Sequence, residues 1–244
     1  MAETREQAAM AARIGILDGA RTAAIVAMVI YHIVFDLEMF GWVSRGTAMS
    51  PPWRLLAICT ASSFLVISGI SLALRQHRHG ALSGFFRRWA QVAVGAALVS
   101  VGTYIALPDA FVFFGILHAI AACLLIGLVL VTLPAPLLVG MAAFVISLPF
   151  WAQSDVFNHP SLWWTGLQTA RFSAVDYIPL APWLGPFILG LAFGKVAVRS
   201  GAFVRLSHVS IPYWAAVPGR YSLLIYLLHQ PLLFAVFSVA RLAL

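Results

Sequence analysis

Long apolar runs separated by short polar or proline-containing intervals dominate the chain. Seven of them approach or reach the roughly 20 residues that a helix needs to cross a bilayer: 17–40, 53–74, 89–107, 111–133, 137–151, 180–198 and 221–242. The intervals carry residues that end helices: Pro51 and Pro52, the 75–88 loop, Pro108 with Asp109, Pro134 with Pro136, and Pro179. The pattern predicts an all-α, polytopic membrane helix bundle of about seven transmembrane helices. It forms a single domain over residues 1–244, with a short segment, 1–16, ahead of the first helix. The fifth run is the shortest. No soluble domain, internal repeat or low-complexity tract interrupts the series.

Composition agrees, with 62% hydrophobic and 9% charged residues. Charge adds orientation, because cytoplasmic loops of membrane proteins hold an excess of Lys and Arg. With the N-terminus in the cytoplasm, the inner segments carry Arg5, Arg13, Arg75, Arg78, Arg87, Arg88, Lys195, Arg199, Arg205 and Arg220, whereas the outer ones carry Arg45, Arg54, Arg171 and Arg241. Arg21 lies near the inner boundary. The formal charge of +7 therefore reads as topology and contact with membrane lipids, and not as a nucleic-acid surface. Glu3, Glu6 and Arg13 flank the first run without a small-residue cleavage site, so a retained helix is expected. Cys59 and Cys123 fall inside apolar runs and read as packing residues, not as a disulfide.

The first run changes the picture, because its helix carries Asp18, Arg21, His32 and Asp36. At 100° per residue these four fall within a sector of about 60°. Such groups are costly in hydrocarbon and mark a buried or wet face. Glu38 points elsewhere, near the outer boundary. At a rise of about 1.5 Å per residue, His32 lies about 16 Å beyond Arg21, close to mid-membrane. His118, in the fourth run, and His229, in the last, fall at comparable depth. A histidine with a carboxylate one turn away can be held in one tautomer and accept a proton from an attacking hydroxyl or amine. His32 and Asp36 have that spacing, His118 is a second acid/base candidate, and Ser222, Tyr226 and His229 share a face of the last helix. A plainly structural reading is the alternative, with Asp18–Arg21 and His32–Asp36 as buried pairs. No metal is expected, since only His32 and Asp36 show helical ligand spacing.

Two loops hold further candidates. Arg75, Arg78, Arg87 and Arg88, in RQHRHGALSGFFRR, set topology and touch lipid headgroups; they also suit the docking of a phosphate-bearing donor, because Arg binds phosphate with a planar fork. The outer loop, 152–178, is rich in aromatics, among them Phe157, Trp163, Trp164, Phe172 and Tyr177. These read as interfacial anchors, and the same rings can stack on a sugar.

The stretches LDGARTAAIVAMVIYHIVFDL, FLVISGISLAL, FGILHAIA and VDYIPLAPWLGPFILG resemble the bacterial membrane proteins related to the catalytic domain of heparan-α-glucosaminide N-acetyltransferase. The Arg21-to-His32 spacing and YSLLIYLLHQPLL are similar to the first and closing helices of acyltransferase family 3. The resemblance implies a multi-pass protein of a bacterial-type inner membrane. It would move an acetyl or other acyl group from cytosolic acetyl-CoA, or another acyl-CoA, to a glycan or small-molecule acceptor on the far side. His32 would be the catalytic histidine and Arg21 its partner near the donor, with Thr22 standing where the family's opening motif has Gly. Two other functions stay open: a proton-coupled transporter or flippase, and a non-catalytic partner in polysaccharide assembly. Self-association is open as well.

Overall fold

The computed structural model describes residues 15–80, 82, 84–170, 172 and 174–242. Almost all of the expected cytoplasmic segment 1–16, and Arg5, Arg13 and Arg171 of the orientation argument, lie outside the described residues. Among those described, the chain forms nine α-helices: α1 (Gly15–Met39), α2 (Pro51–His79), α3 (Phe85–Ala106), α4 (Ile116–Leu130), α5 (Ala135–Ser147), α6 (Leu180–Arg199), α7 (Ala202–Ser207), α8 (Tyr213–Arg220) and α9 (Ser222–Leu242). Seven of them fall on the seven apolar runs, so the all-α membrane fold is as expected. Five, α1, α2, α3, α6 and α9, are long and apolar enough to cross a membrane. The other two, α4 and α5, have 15 and 13 residues and rise only about 22 and 20 Å, short of a hydrocarbon core of about 30 Å.

The shortfall in α4 has a local cause. Residues 111–114 are as apolar as the helix that follows, but they run in non-helical backbone. The Ser100 hydroxyl donates to the Val112 carbonyl (2.6 Å), and the Val112 N–H donates to Thr103 Oγ1 (2.9 Å). The Ile178 N–H donates to the Phe114 carbonyl (3.0 Å), and Phe114 forms an isolated β-bridge with Tyr177. Apolarity alone does not distinguish this segment from another helical turn.

The chain divides into two compact units, the described residues up to Phe64 with those from Arg205 onward, and Leu65–Val204. In the second unit α6 supplies the centre: Phe187, Ile188 and Leu191 are fully buried, as are Leu65, Cys123, Leu138 and Ala142 from other helices of that unit. Helix α6 packs on α4 and α5, and it approaches α2 where glycines meet. A Cβ on Gly69 would collide with the backbone of Phe187 and Leu191, and one on Gly190 with the backbone of Val66. Close approach of membrane helices through small residues supplies packing that hydrophobicity cannot, since lipid tails are equally apolar. Gly190→Val should therefore cost about 2–3 kcal/mol, measured as a lower thermal midpoint in detergent; an unchanged midpoint would show that the crossing relaxes freely. Lys195, expected only as an orienting charge, donates from Nζ to the carbonyls of Val131 and Leu133 and so satisfies the end of α4.

The aromatic loop, 152–178, belongs to this unit and is built on its own rings. Trp163 and Phe172 stack face to face at 4.2 Å and 3°, with Phe113 edge-on to both. The Tyr177 hydroxyl donates to the Trp163 carbonyl (2.6 Å) and accepts from Gln168 Nε2 (2.7 Å). Burial pushes this phenol up to about 12, so it stays a neutral donor. Phe172 covers one face of Trp163, so that face is not open to a sugar.

In the first unit α1 packs on α8 and α9. Its buried positions are Asp18, Ala24, Ile25, Met28 and Asp36, so two carboxylates sit in an otherwise apolar seam. Glu38 lies off this seam and shapes the chain that follows it. Its two oxygens accept the Gly46 and Ala48 N–H groups, each at 2.7 Å, and fold the following loop back on the helix.

Candidate active site in the first and last helices

Helix α9 is almost wholly apolar, and among its described residues His229 alone is buried. Its side chain folds back along its own helix, where His229 Nδ1 lies 2.6 Å from the Tyr226 carbonyl. A carbonyl only accepts, so Nδ1 carries the hydrogen, and in the neutral ring Nε2 is left as the basic nitrogen. That Nε2 is buried and has no hydrogen-bond partner among the described residues. The Tyr226 ring lies 5.5 Å from the imidazole.

His229 faces His32, with ring centroids 4.8 Å apart at 62°. His32 Nδ1 is likewise buried without a partner. One turn on, Asp36 is fully buried; its Oδ1 accepts from Gln230 Nε2 at 2.7 Å, while its Oδ2 and Gln230 Oε1 have no partner. The expected hydrogen bond from His32 to Asp36 is not formed: the carboxylate is held from α9 instead. Gln230 went unnoticed in the sequence, although an uncharged amide next to a proline in an apolar run is a visible signal. The cluster offers two imidazole nitrogens, one carboxylate oxygen and one amide oxygen, all buried. A buried polar atom left unpaired costs about 1–3 kcal/mol, so these four atoms can gain by bonding a polar group placed among them.

The N-terminal end of the stripe is organised around Asp18, which is 1% exposed. Arg21 Nη1 reaches its Oδ1 at 2.8 Å, and Arg220 Nε lies 3.5 Å from its Oδ2. Arg220 was legible in the sequence only as an inner charge. Its backbone is fixed by Thr22, whose hydroxyl donates to the Asp18 carbonyl (3.1 Å) and accepts from the Gly219 N–H (2.9 Å). A Cβ on Gly219 would run into that same carbonyl. Thr22 thus serves a close helix contact at the position where a glycine was the expectation.

The catalytic family model for heparan-alpha-glucosaminide N-acetyltransferase matches residues 13–231. The chain belongs to this family. No curated protein and no solved structure matches it. Family membership carries a membrane acetyltransferase-type function, and a transferase enzyme at that level; donors in the family are in general acetyl-CoA. The matched stretch contains His32, Asp36, His118, His229 and Gln230.

The remaining expected site residues lie in the other unit. His118 has both ring nitrogens engaged there: Nδ1 accepts the Gly115 N–H (3.2 Å), which leaves the hydrogen on Nε2 to reach Ser100 Oγ (3.1 Å), itself bonded to Val112. This arrangement closes the first turn of α4, where Asp176 Oδ2 also accepts the Ile116 N–H (2.9 Å). Arg87 and Arg88 are exposed on the first turn of α3. Among the described residues no three His, Cys, Asp or Glu side chains group as metal ligands do.

Proposed function

We propose that this family member transfers an acyl group from acyl-CoA, taken from the cytoplasmic side, to a hydroxyl or amine of a glycan-type acceptor on the outer side. The observation that carries the reading is the His32–His229 pair, with one buried, unpaired nitrogen on each ring and His229 fixed through Nδ1. The acceptor hydroxyl or amine gives its proton to an imidazole nitrogen as its heteroatom attacks the thioester carbonyl carbon. The carbon–sulfur bond then breaks, and the CoA thiolate leaves with that proton. Asp36 and Gln230 hold the acceptor's other donors and stabilise the imidazolium. Arg21 marks the donor end, and Arg87 and Arg88 attract the donor's phosphates from the cytoplasm.

The test is incubation of the purified protein with labelled acetyl-CoA and candidate acceptors. Catalytic release of CoA with label on the acceptor is expected. Accumulation of a substrate in vesicles without turnover would replace the reading by a transporter.

The sidedness rests on the Lys/Arg asymmetry and is checked by labelling. In a background without Cys59, Ser161→Cys should react with a membrane-impermeant maleimide from outside, and Arg78→Cys only after permeabilisation. The reverse pattern would invert the protein and the direction of transfer.

A further inference from the structure

We infer that Arg220 and Arg21, spread by the two oxygens of the buried Asp18 carboxylate, form a two-guanidinium clamp for the phosphate-bearing end of the donor. This rests on the acyl-CoA reading above and adds Arg220 to it as a specificity-determining residue. One carboxylate needs one guanidinium for neutrality, and Asp18 already has Arg21 at 2.8 Å. Arg220 makes the trio net positive. It meets Asp18 only through Nε, at 3.5 Å, and its side chain is 41% exposed. Its two Nη groups, the end of the fork that grips phosphate, have no other partner among the described residues.

The position is also rigid. Residue 219 is pinned to α1 by the Thr22 hydrogen bond and by a backbone contact that admits no side chain, so Arg220 leaves the helix junction at a set place. A clamp of this kind is preorganised, because the carboxylate orders the long side chains before an anion arrives. The first turn of α1 adds its partial positive charge at the same end. From Arg21 to His32 the helix rises about 16 Å. A thioester on a long phosphopantetheine arm can bridge that separation, whereas a compact acyl phosphate cannot. The headgroup of an anionic phospholipid has the same phosphate chemistry, and the experiment separates the two sources.

The full-length protein and its Arg220→Gln and Arg220→Lys variants are placed in nanodiscs of neutral lipid. Binding of CoA and of pantetheine, which lacks the phosphates, is measured by calorimetry. KM and kcat are then measured with acetyl-CoA and with S-acetylpantetheine. For Arg220→Gln the Kd for CoA and the KM for acetyl-CoA should rise about tenfold or more, the loss expected for a charged hydrogen bond. Its kcat should change less than about twofold, and the phosphate-free donor should be used as by the parent. Arg220→Lys, which keeps the charge without the fork, should fall between and decides the matter if the Gln variant does not fold. Equal loss with both donors, or unchanged CoA affinity in folded variants, would overturn the clamp. So would an effect seen only when anionic phospholipid is added, which would assign the site to a headgroup. CoA binding that depends on Arg220 without any acyl transfer would retain the clamp and sink the transferase reading; transfer without dependence on Arg220 would do the opposite.

Discussion

His32→Ala should lower acyl transfer by about 10³-fold, within the range for removal of a general base, while the protein still folds and binds CoA. The substitution removes a half-buried ring that touches His229, Tyr31 and Phe35. It introduces no charge into the bundle. The carboxylate one turn away keeps its bond to Gln230, so α1 and α9 stay joined. His229→Ala should be nearly as damaging, because it deletes the imidazole of this pair whose ring is fixed by a backbone bond. Asp36→Asn should cost only about tenfold: its amide oxygen can still accept from Gln230, but it no longer stabilises an imidazolium. Initial rates of label transfer by each monodisperse variant measure these effects. Near-normal turnover in folded His32→Ala would remove it from the mechanism and leave His229 as the first candidate.

Asp18→Ala should be the most destabilising single change in the first unit. It leaves Arg21 and Arg220 facing each other without the carboxylate that now takes one on each oxygen. Removing one partner of a buried ionic group costs about 3–5 kcal/mol; the exposure of Arg220 places this case at about 3 kcal/mol, because solvent screens its charge. Asp18→Asn should lose about half as much, since the amide oxygen still accepts from Arg21. Added salt should recover part of the loss by screening the two cations. Combining Asp18→Ala with Arg220→Gln should also restore stability, because the repulsion has then been removed; the double-mutant cycle measures that coupling. Thermal midpoints in detergent read all four variants. A midpoint unchanged by Asp18→Ala would show that the trio adds nothing to folding.

The positions of the helices were visible in the sequence because burial in lipid demands apolar length, and length is written along the chain. The face carrying Asp18, Arg21, His32 and Asp36 was visible for a similar reason: helical period places such residues together without knowledge of any partner. The depth of His229 followed from counting residues. Partnership did not, because it depends on which helix lies opposite. Asp36 was expected to hold His32, four residues away, yet its hydrogen bond goes to Gln230, distant in sequence and directly across the seam. Spacing reports who can be near; only packing decides which acceptor a donor reaches.

The same distinction governs the other departures. Residues 111–114 are apolar in any conformation, and only hydrogen bonds to Ser100, Thr103 and the 175–178 segment keep them out of α4. Lys195 and Arg220 looked alike as inner-side charges. One became a cap on the carbonyls that end α4, the other the second cation on a buried carboxylate. The sequence by itself determined the helical membrane class, the ionisable stripe and the histidines, since these depend on local period and on transfer from water to lipid. The tertiary structure decided the partner of each polar group, because a buried donor or acceptor is satisfied across the seam by whatever the neighbouring helix presents, and that is set by side-chain fit between elements far apart in the chain.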